Sequence, residues 1–316
     1  MPSNGSGSAP GAATEKPTEM ATVDSVNVHI VSTMLASRGL GEWGFSALVQ
    51  VDDHSILIDV GHDPDLVLGN ARQMGVDLSE VETVVLSHFH PDHTGALLKL
   101  RRELMKQNPE ALSTIHVGKE FFGSRRTPGD DVERNLMVAV RELVEATGAR
   151  FVEHEGPTEL FRGVWVTGPV PRVHPERNWS GSLEVRTAAG WVEDTVPDSQ
   201  SLVLNTREGL VVLSGCGHAG IINTLEYARS VIRPAPIHAA LGGFHLLEAD
   251  DEHLEWTASR LRDLGLEHFL GAHCTGIEAV FRIRERAGLT RETCVVGAVG
   301  ATFSLENGLD PLTLAR

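Results

Sequence analysis

The sequence predicts a mixed α/β (α+β) fold, and two observations lead to this prediction. Short runs rich in β-branched residues recur along the chain, each bounded by Gly, Asp, Asn or Ser, as strands usually are. Longer segments between many of these runs carry Leu and Ala at helical spacing. The first strands follow one another closely and the later ones alternate with helices, so we expect a hairpin region that leads into strand–helix alternation.

The predicted strands and helices extend from residue 26 to residue 287. The first predicted strands cover residues 26–31, 47–51, 56–60 and 83–86, and the first helices cover residues 65–74 and 94–107. The first three strands are close enough in sequence to form an antiparallel meander. The later strands cover residues 114–117, 164–167, 201–205, 210–213, 237–241 and 268–270, and the later helices cover residues 131–146, 221–231, 253–264 and 277–287. Residues 169–197 are polar, contain Trp and have no clear period, which is typical of a functional cover or a disordered loop.

Composition and charge narrow the classes of partner. With 41% apolar and 22% charged residues, the chain of 316 residues has the profile of a soluble globular protein. Its formal net charge of −16 argues against binding to nucleic acid or to an anionic membrane surface. No run of about 18 apolar residues predicts a membrane span. We therefore expect a small-molecule substrate, and the sequence leaves open whether the chain forms a homodimer.

Two features bear on the compartment and on the start of the chain. The three cysteines, Cys216, Cys274 and Cys294, are too few for a disulfide framework, so we expect a reducing, cytoplasmic setting. Residues 1–22 are rich in Gly, Ser, Ala, Pro and Thr and lack the basic start and apolar run of a secretory signal. We expect them to form a disordered leader, followed by one folded domain over residues 23–316.

The strongest local signal is the run HFHPDH at residues 88–93, which follows a predicted strand and precedes a predicted helix. His88 and His90 lie two positions apart, so their rings point to the same side of an extended segment. Asp92 and His93 follow the turn at Pro91 and can face a second ion. Imidazole and carboxylate groups suit zinc, and also manganese or iron. The run therefore predicts a site for two divalent metal ions that activate water.

The match to a known family extends well beyond this run. The segments ILIDVG at residues 56–61 and SHFHPDHTGAL at residues 87–97 resemble the upstream strand and the metal loop of the metallo-β-lactamase superfamily. The segments SGCGHAGIIN at residues 214–223, LGGFHL at residues 241–246 and HCTG at residues 273–276 resemble its subgroup of 7,8-dihydropterin-6-methyl-4-(β-D-ribofuranosyl)-aminobenzene-5'-phosphate synthase-like proteins. The likeness runs from about residue 47 to residue 300.

The resemblance implies a four-layer αβ/βα sandwich, with two mixed sheets face to face, helices outside, and the metals at one edge between the sheets. It implies that Asp59 orients the metal loop or a ligating ring. The loop offers too few ligands for two metals, and we expect His218 and His273, each just after a predicted strand, to supply the others. The expected ligand sets are His88, His90 and His218 for the first metal and Asp92, His93 and His273 for the second.

Cys216 departs from the superfamily pattern, because many members carry a metal-bridging aspartate at this place. Either a thiolate bridges the metals, or water alone links them, or Cys216 is a buried, inert residue. His245 is expected to contact the substrate or to protonate the leaving group, with a purely structural role as the alternative. Arg172 and His174 are weaker candidates for binding an anionic group.

These assignments predict a binuclear metallo-hydrolase for a phosphoester or a related anionic small molecule. Asp92 is expected to orient the attacking water while it remains a metal ligand. A lactonase or a β-lactamase-type hydrolase is the first alternative, and an iron-binding redox or sensor protein is the second.

Overall fold

A computed structural model of the chain describes residues 20–179 and 181–312. Of the leader predicted over residues 1–22, residues 1–19 lie outside this description. The strands are β1 (Val26–Ser32), β2 (Ser46–Val51), β3 (His54–Ile58), β4 (Thr83–Val85), β5 (Thr114–Gly118), β6 (Arg125–Arg126), β7 (Arg150–His154), β8 (Thr158–Phe161), β9 (Val164–Val166), β10 (Glu184–Thr187), β11 (Gly190–Glu193), β12 (Ser201–Asn205), β13 (Leu210–Ser214), β14 (Ile237–Gly242), β15 (His268–Gly271), β16 (Cys294–Val296), β17 (Thr302–Ser304) and β18 (Gly308–Asp310).

The helices lie between these strands. They are α1 (Pro64–Met74), α2 (Pro91–Thr94), α3 (Leu97–Leu104), α4 (Leu136–Glu145), α5 (Ile221–Val231), α6 (Asp251–Asp263) and α7 (Ile277–Ala287), with a short 3₁₀ turn at His273–Thr275. Local chemistry fixes their ends. In α1, for example, Asp63 accepts a hydrogen bond from the Asp65 amide at the start and Gly75 adopts the left-handed conformation at the end. None of the helices in the described residues has the length and hydropathy needed to span a bilayer.

Two large mixed sheets contain most of the described strands. The first has the order β18-β17-β1-β2-β3-β4-β5-β7 and the second has the order β16-β15-β14-β13-β12-β9-β8, while β11-β10-β6 form a small third sheet. The predicted meander is confirmed, because β1, β2 and β3 pair antiparallel in sequence order. The pairing becomes parallel from β3 to β7 and from β13 to β16.

Three hydrophobic clusters define the layers. One lies between the large sheets and joins residues such as Ile30 and Ile58 of the first to Leu213 and Leu241 of the second. The other two lie between each sheet and its own helices. Each fully buried aliphatic side chain in such a cluster contributes about 1.5–3 kcal/mol. This arrangement is the predicted αβ/βα sandwich.

Some predicted bounds were wrong for identifiable reasons. The helix predicted from residue 131 begins at Leu136, because the Asn135 side chain accepts a hydrogen bond from the Met137 amide and caps it there. The helix predicted over residues 94–107 is shorter and corresponds to α3, and the end of the histidine run forms a separate short helix, α2. The segment of residues 169–197 contains the hairpin β10–β11, which the sequence analysis did not predict.

The parallel strands determine where the site lies. Because parallel strands share the direction of their carboxyl ends, the segments after β3 and β4 meet those after β13, β14 and β15 at one edge of the sandwich. These segments carry Asp59, the run 88–93, Cys216 with His218, His245, and His273.

Candidate metal centre

A cleft of about 580 Å³ opens at this edge of the sandwich. Its lining residues are Glu42, Trp43, His62, His90, Pro91, Asp92, Cys216, His218, His245, His273 and Cys274. The structure therefore brings together side chains that are up to about 230 positions apart in the sequence. His88 and His93 lie buried beside these residues.

Three imidazoles converge on one point beneath the cleft. His88 Nε2 lies 2.9 Å from His90 Nδ1 and 3.2 Å from His218 Nε2. The opposite nitrogens of two rings are held by neighbours, since His88 Nδ1 lies 2.9 Å from Ser87 Oγ and His218 Nδ1 donates to the Asn178 carbonyl. The Nε2 lone pairs of His88 and His218 therefore face each other, as in rings oriented for a metal.

Burial keeps these imidazoles neutral. It lowers the pKa of His90 to about 3 and the pKa values of His88 and His218 well below the usual range, and neighbouring histidines add to the effect on each. Neutral imidazole is the form that binds a metal ion. This group thus has the chemistry that a cation site requires.

A carboxylate and two further imidazoles form the second group. Asp92 Oδ2 lies 3.2 Å from His273 Nε2 and 3.6 Å from His93 Nε2. Burial alone would raise the pKa of Asp92, but His93 and His273 hold it well below its usual range. The His273 ring is buried and, apart from the contact of Nε2 with Asp92, its nitrogens have no hydrogen-bond partner among the described residues, so a cation beside Asp92 would satisfy Nε2.

The surroundings of His93 also favour a positive charge. Burial alone would lower the pKa of His93, but Asp92 and Asp59 raise it to about 9. The ring therefore carries a positive charge unless a metal takes the place of its Nε2 proton. Its Nδ1 donates to Asp59 Oδ2 over 2.7 Å, which directs Nε2 toward the second group.

Cys216 lies between the two groups. Its Sγ is 3.1 Å from His93 Nε2, and it forms one set of potential ligands with His88 and His218 and another with His93 and His273. Within each set the ligand atoms lie within 4.8 Å of one another. Burial raises the pKa of the Cys216 thiol well above its usual value, so a thiolate here requires a nearby cation. This is the position that a bridging ligand would occupy.

Asp59 supports the site from below. It is buried with φ 53° and accepts three hydrogen bonds of 2.7 Å, from the Ser87 amide, Ser87 Oγ and His93 Nδ1. Gly215 packs directly against Ser87 and Asp59, because a Cβ there would lie 2.1 Å from Ser87 Oγ and 2.2 Å from Asp59 Oδ2. Asp59 thus orients the loop and the His93 ring, in line with the expectation from the sequence.

The structure does not bring Arg172 and His174 into the cleft. The Arg172 guanidinium donates to the backbone carbonyls of Thr195 and His218, and His174 Nε2 pairs with Glu226 Oε2 at 2.8 Å. Both residues therefore anchor the irregular segment that they belong to, Arg172 at the loop of His218 and His174 at α5.

The same segment supplies a contact that the sequence analysis missed. Glu176 accepts hydrogen bonds from the amides of Ile222 and Asn223 at the start of α5. Burial raises its pKa to about 7, although these amides and His174 act in the opposite direction. A polar residue in an irregular segment gives no local signal of such a role.

A buried ion pair behind the metal loop was also missed. Asp198 accepts from the Phe89 amide at 2.9 Å and from Arg125 Nη2 at 2.6 Å, and the Arg125 guanidinium lies 3.8 Å above the Phe89 ring. Burial raises the pKa of Asp198 to about 6, against the effect of Arg125. Since these residues are isolated in the sequence, only the fold connects them.

His245 and Trp43 form part of the cleft wall. The His245 ring lies 4.7 Å from that of His218, and its Nδ1 is buried without a hydrogen-bond partner among the described residues. Trp43 is 53% exposed, and its ring lies 4.7 Å from that of His273. The sequence analysis singled out His245 but not Trp43, because a lone Trp in a loop has no distinguishing pattern.

Known proteins resemble this chain along most of its length. The family model described as the metallo-beta-lactamase superfamily matches residues 44–267. The chain is 27% identical over 267 residues to the 7,8-dihydropterin-6-methyl-4-(beta-D-ribofuranosyl)-aminobenzene-5'-phosphate synthase of Methanocaldococcus jannaschii, covering 81% of this chain and 90% of that protein.

Solved structures give the same result for the fold. A metal-dependent hydrolase of the beta-lactamase superfamily matches with a TM-score of 0.69 and 28% identity, covering 88% of this chain and 98% of that one. The metallo-beta-lactamase fold protein YhfI from Bacillus subtilis matches with a TM-score of 0.54 and 13% identity, covering 89% of this chain and 100% of that one. The second match concerns the fold alone.

Proposed function

The chain belongs to the metallo-beta-lactamase superfamily, and we propose that it is a binuclear metallo-hydrolase for a phosphoester or a related anionic small molecule. One observation carries this proposal. Two groups of ligating atoms meet at the floor of a single cleft, and the Sγ atom of Cys216 faces both.

The donor set fits two divalent ions. His88, His90 and His218 would hold the first, Asp92, His93 and His273 would hold the second, and Cys216 would lie between them. Imidazole with thiolate and carboxylate favours zinc, with manganese or iron as alternatives. When bound, such ions polarise a substrate oxygen and lower the pKa of a coordinated water.

The chain's own residues would then orient the attacking water and protonate the leaving group. Asp92 keeps its negative charge and would accept a hydrogen bond from the attacking water, which fixes the direction of attack. His245 has an unpartnered Nδ1 at the wall of the cleft and would donate a proton to the leaving-group oxygen. Trp43 offers an exposed ring on which a planar part of the substrate would stack.

The choice of a phosphoester rests on the name of one relative. The relative from Methanocaldococcus jannaschii is named for a compound that carries a 5'-phosphate. Among the described residues the lining of the cleft includes no Lys or Arg, so bound metal ions would have to balance the charge of an anionic substrate.

Three substrates test the proposal on purified protein loaded with zinc. Bis(p-nitrophenyl) phosphate represents phosphoesters, an N-acyl homoserine lactone represents lactones, and nitrocefin represents β-lactams. We expect turnover of the phosphoester that chelation abolishes and zinc restores. His218→Ala should remove this turnover, whereas the control His253→Ala, on α6, should retain it.

Other outcomes contradict the proposal. Turnover of the lactone or the β-lactam without that of the phosphoester would favour the alternative hydrolases. Absence of all three, together with visible absorption from bound iron, would favour a redox or sensor protein.

A further inference from the structure

A second group of metal-ligating side chains lies at the edge of the sandwich opposite the cleft. His238 is near the amino end of β14, and Glu267 and His268 are at the amino end of β15. Since β14 and β15 are parallel, these residues share one edge, whereas His245 and His273 follow the carboxyl ends of the same strands. The length of β15 alone places roughly 10 Å between the two edges.

A β-bulge in β14 interrupts the alternation of its side chains between the two faces of the sheet, and this brings the imidazoles of His238 and His268 together. The register between β13 and β14 shifts by one residue at His238, since Leu210 pairs with Ile237 but Val211 pairs with Ala239. Ile237 therefore packs under the helices and Ala239 packs between the sheets. Such a bulge re-aims a side chain, and here it turns His238 toward the face on which His268 lies.

The geometry of the group suits a single ion. His238 Nδ1 lies 3.0 Å from Glu267 Oε2, and the His238 and His268 ring centroids are 5.1 Å apart. One ligand atom from each of the three residues lies within 4.8 Å of the other two. The Phe303 ring packs against both imidazoles, at 6.0 and 5.6 Å between centroids, which restricts their rotation.

Three points favour a metal ion at this place over a simple ion pair. His268 Nδ1 is shielded from solvent and has no hydrogen-bond partner among the described residues, so its capacity to form a hydrogen bond or to bind a metal ion is unused. A His–Glu pair alone would not account for a second imidazole at this distance. In addition, Glu267 is exposed, so a cation can enter and leave without opening the core.

We infer that His238, Glu267 and His268 bind a further divalent transition-metal ion, zinc by preference. Two imidazoles and one carboxylate form a set that suits zinc and also copper, with the fourth position left to water. The ion would connect β14 to β15 at their amino ends. This inference is independent of the proposed function, because no residue is shared between the two sites.

The test measures bound zinc directly. The full chain is saturated with zinc, freed of loose ions by gel filtration and subjected to elemental analysis. We expect His238→Gln and His268→Gln each to hold one zinc ion fewer per chain than the wild type, with unchanged circular dichroism and hydrolytic activity. The control His54→Gln, on β3, should hold the wild-type number.

A second measurement distinguishes metal bound at this site from metal bound in the cleft. In a His88→Ala/His93→Ala/His218→Ala/His273→Ala chain, which lacks imidazoles from both ligand groups of the cleft, Cu²⁺ at one equivalent should give an electron paramagnetic resonance signal with coupling to two imidazole nitrogens. Adding His268→Gln should remove that coupling. Equal zinc content in the wild type and both Gln variants, or a copper signal that His268→Gln leaves unchanged, would overturn the inference whatever the catalytic cleft does. If a Gln variant fails to fold, the matching Asn variant takes its place.

Discussion

The Sγ atoms of Cys216 and Cys274 lie 3.2 Å apart, and both thiols are buried at the floor of the cleft. In metal-free protein, a two-electron oxidant such as diamide should join them, since only a small movement separates them from the bonded distance of about 2.05 Å. Diamide takes up the two electrons and two protons that the thiols lose. Because Cys216 also faces both ligand groups, prior loading with zinc should slow the reaction.

Thiol titration after unfolding checks this prediction. The number of free thiols should fall from three to one per chain, with a loss of about 2 Da by mass spectrometry, as one disulfide requires. In the control Cys294→Ser, no free thiol should remain. Three persisting thiols, or disulfide-linked dimers, would show that the two sulfurs do not approach each other.

Asp59→Asn should weaken the metal site without changing the fold. The amide is uncharged and cannot accept from the Ser87 amide, Ser87 Oγ and His93 Nδ1 as the carboxylate does. Loss of such a supporting partner typically reduces metal affinity or activity by about 10–100-fold. Zinc titration calorimetry measures the affinity, and Asp53→Asn, in the exposed turn after β2, is the control. Equal affinities for the two variants would mean that Asp59 does not orient the ligands.

Gly215→Ala should destabilise the protein. The new Cβ would lie 2.1 Å from Ser87 Oγ, so the loop and Asp59 must shift, and overpacking of this kind costs about 1–3 kcal/mol. The matched control is Gly69→Ala in α1, where a Cβ meets nothing within 4 Å and should stabilise the helix by about 0.5–1 kcal/mol. Urea unfolding measures both changes, and a stable Gly215→Ala protein would contradict the packing described for this position.

The stability of the wild type should depend on pH through Glu176. Burial raises the folded-state pKa to about 7, above the unfolded value of about 4.5. Below pH 4.5 the carboxyl group is protonated in both states. As the pH rises from about 4.5 to 7, the unfolded chain loses this proton first, so the contribution to folding stability declines by about 3 kcal/mol and then stays constant.

Glu176→Gln should remove this component, because the amide does not titrate. Its single carbonyl oxygen can accept from only one of the two backbone amides, those of Ile222 and Asn223, that the two carboxylate oxygens bind separately. Urea unfolding at pH 5 and pH 8 compares the two proteins. A wild type whose pH dependence matches that of Glu176→Gln would show that the carboxyl group does not carry the effect.

His245→Gln should slow the release of poor leaving groups most. A general acid contributes about 10²–10⁴-fold when the leaving oxygen needs a proton, and much less when the leaving group is p-nitrophenolate. We therefore expect kcat for an alkyl phosphoester to fall at least about 100-fold and kcat for a p-nitrophenyl ester to change little, with zinc content unchanged. An equal loss for both substrates would indicate a structural role for His245.

The sequence predicted the parts of the fold that local patterns encode. The strands around residues 201–213, the helices α5 and α7, the family and the four-layer sandwich are all confirmed. The ligand assignment stays a prediction, although His218 and His273 lie beside the histidine run as expected. Each of these residues follows a strand of clear pattern, which is why sequence reasoning found them.

The remaining features depend on contacts between distant segments. Asp198 reaches Phe89 across 109 positions, and Asn178 reaches His218 across 40. The local sequence around Asn178 and Asp198 carries no sign of these partners, because their hydrogen bonds are made only after both sheets are assembled. The bulge at His238 is likewise a property of register between two strands and has no pattern within one.

The irregular segment within residues 169–197 could be exchanged in evolution without changing the sheets. The candidate metal ligands lie on short turns at the sheet ends, whereas residues 169–179 and 181–197 belong to a separate excursion, held through Arg172, Glu176 and Asn178. A descendant gene could exchange this excursion, and with it the Asn178 carbonyl that orients the His218 ring, while the underlying strands stayed the same. The properties of the centre would then change through the replacement of a single stretch of chain.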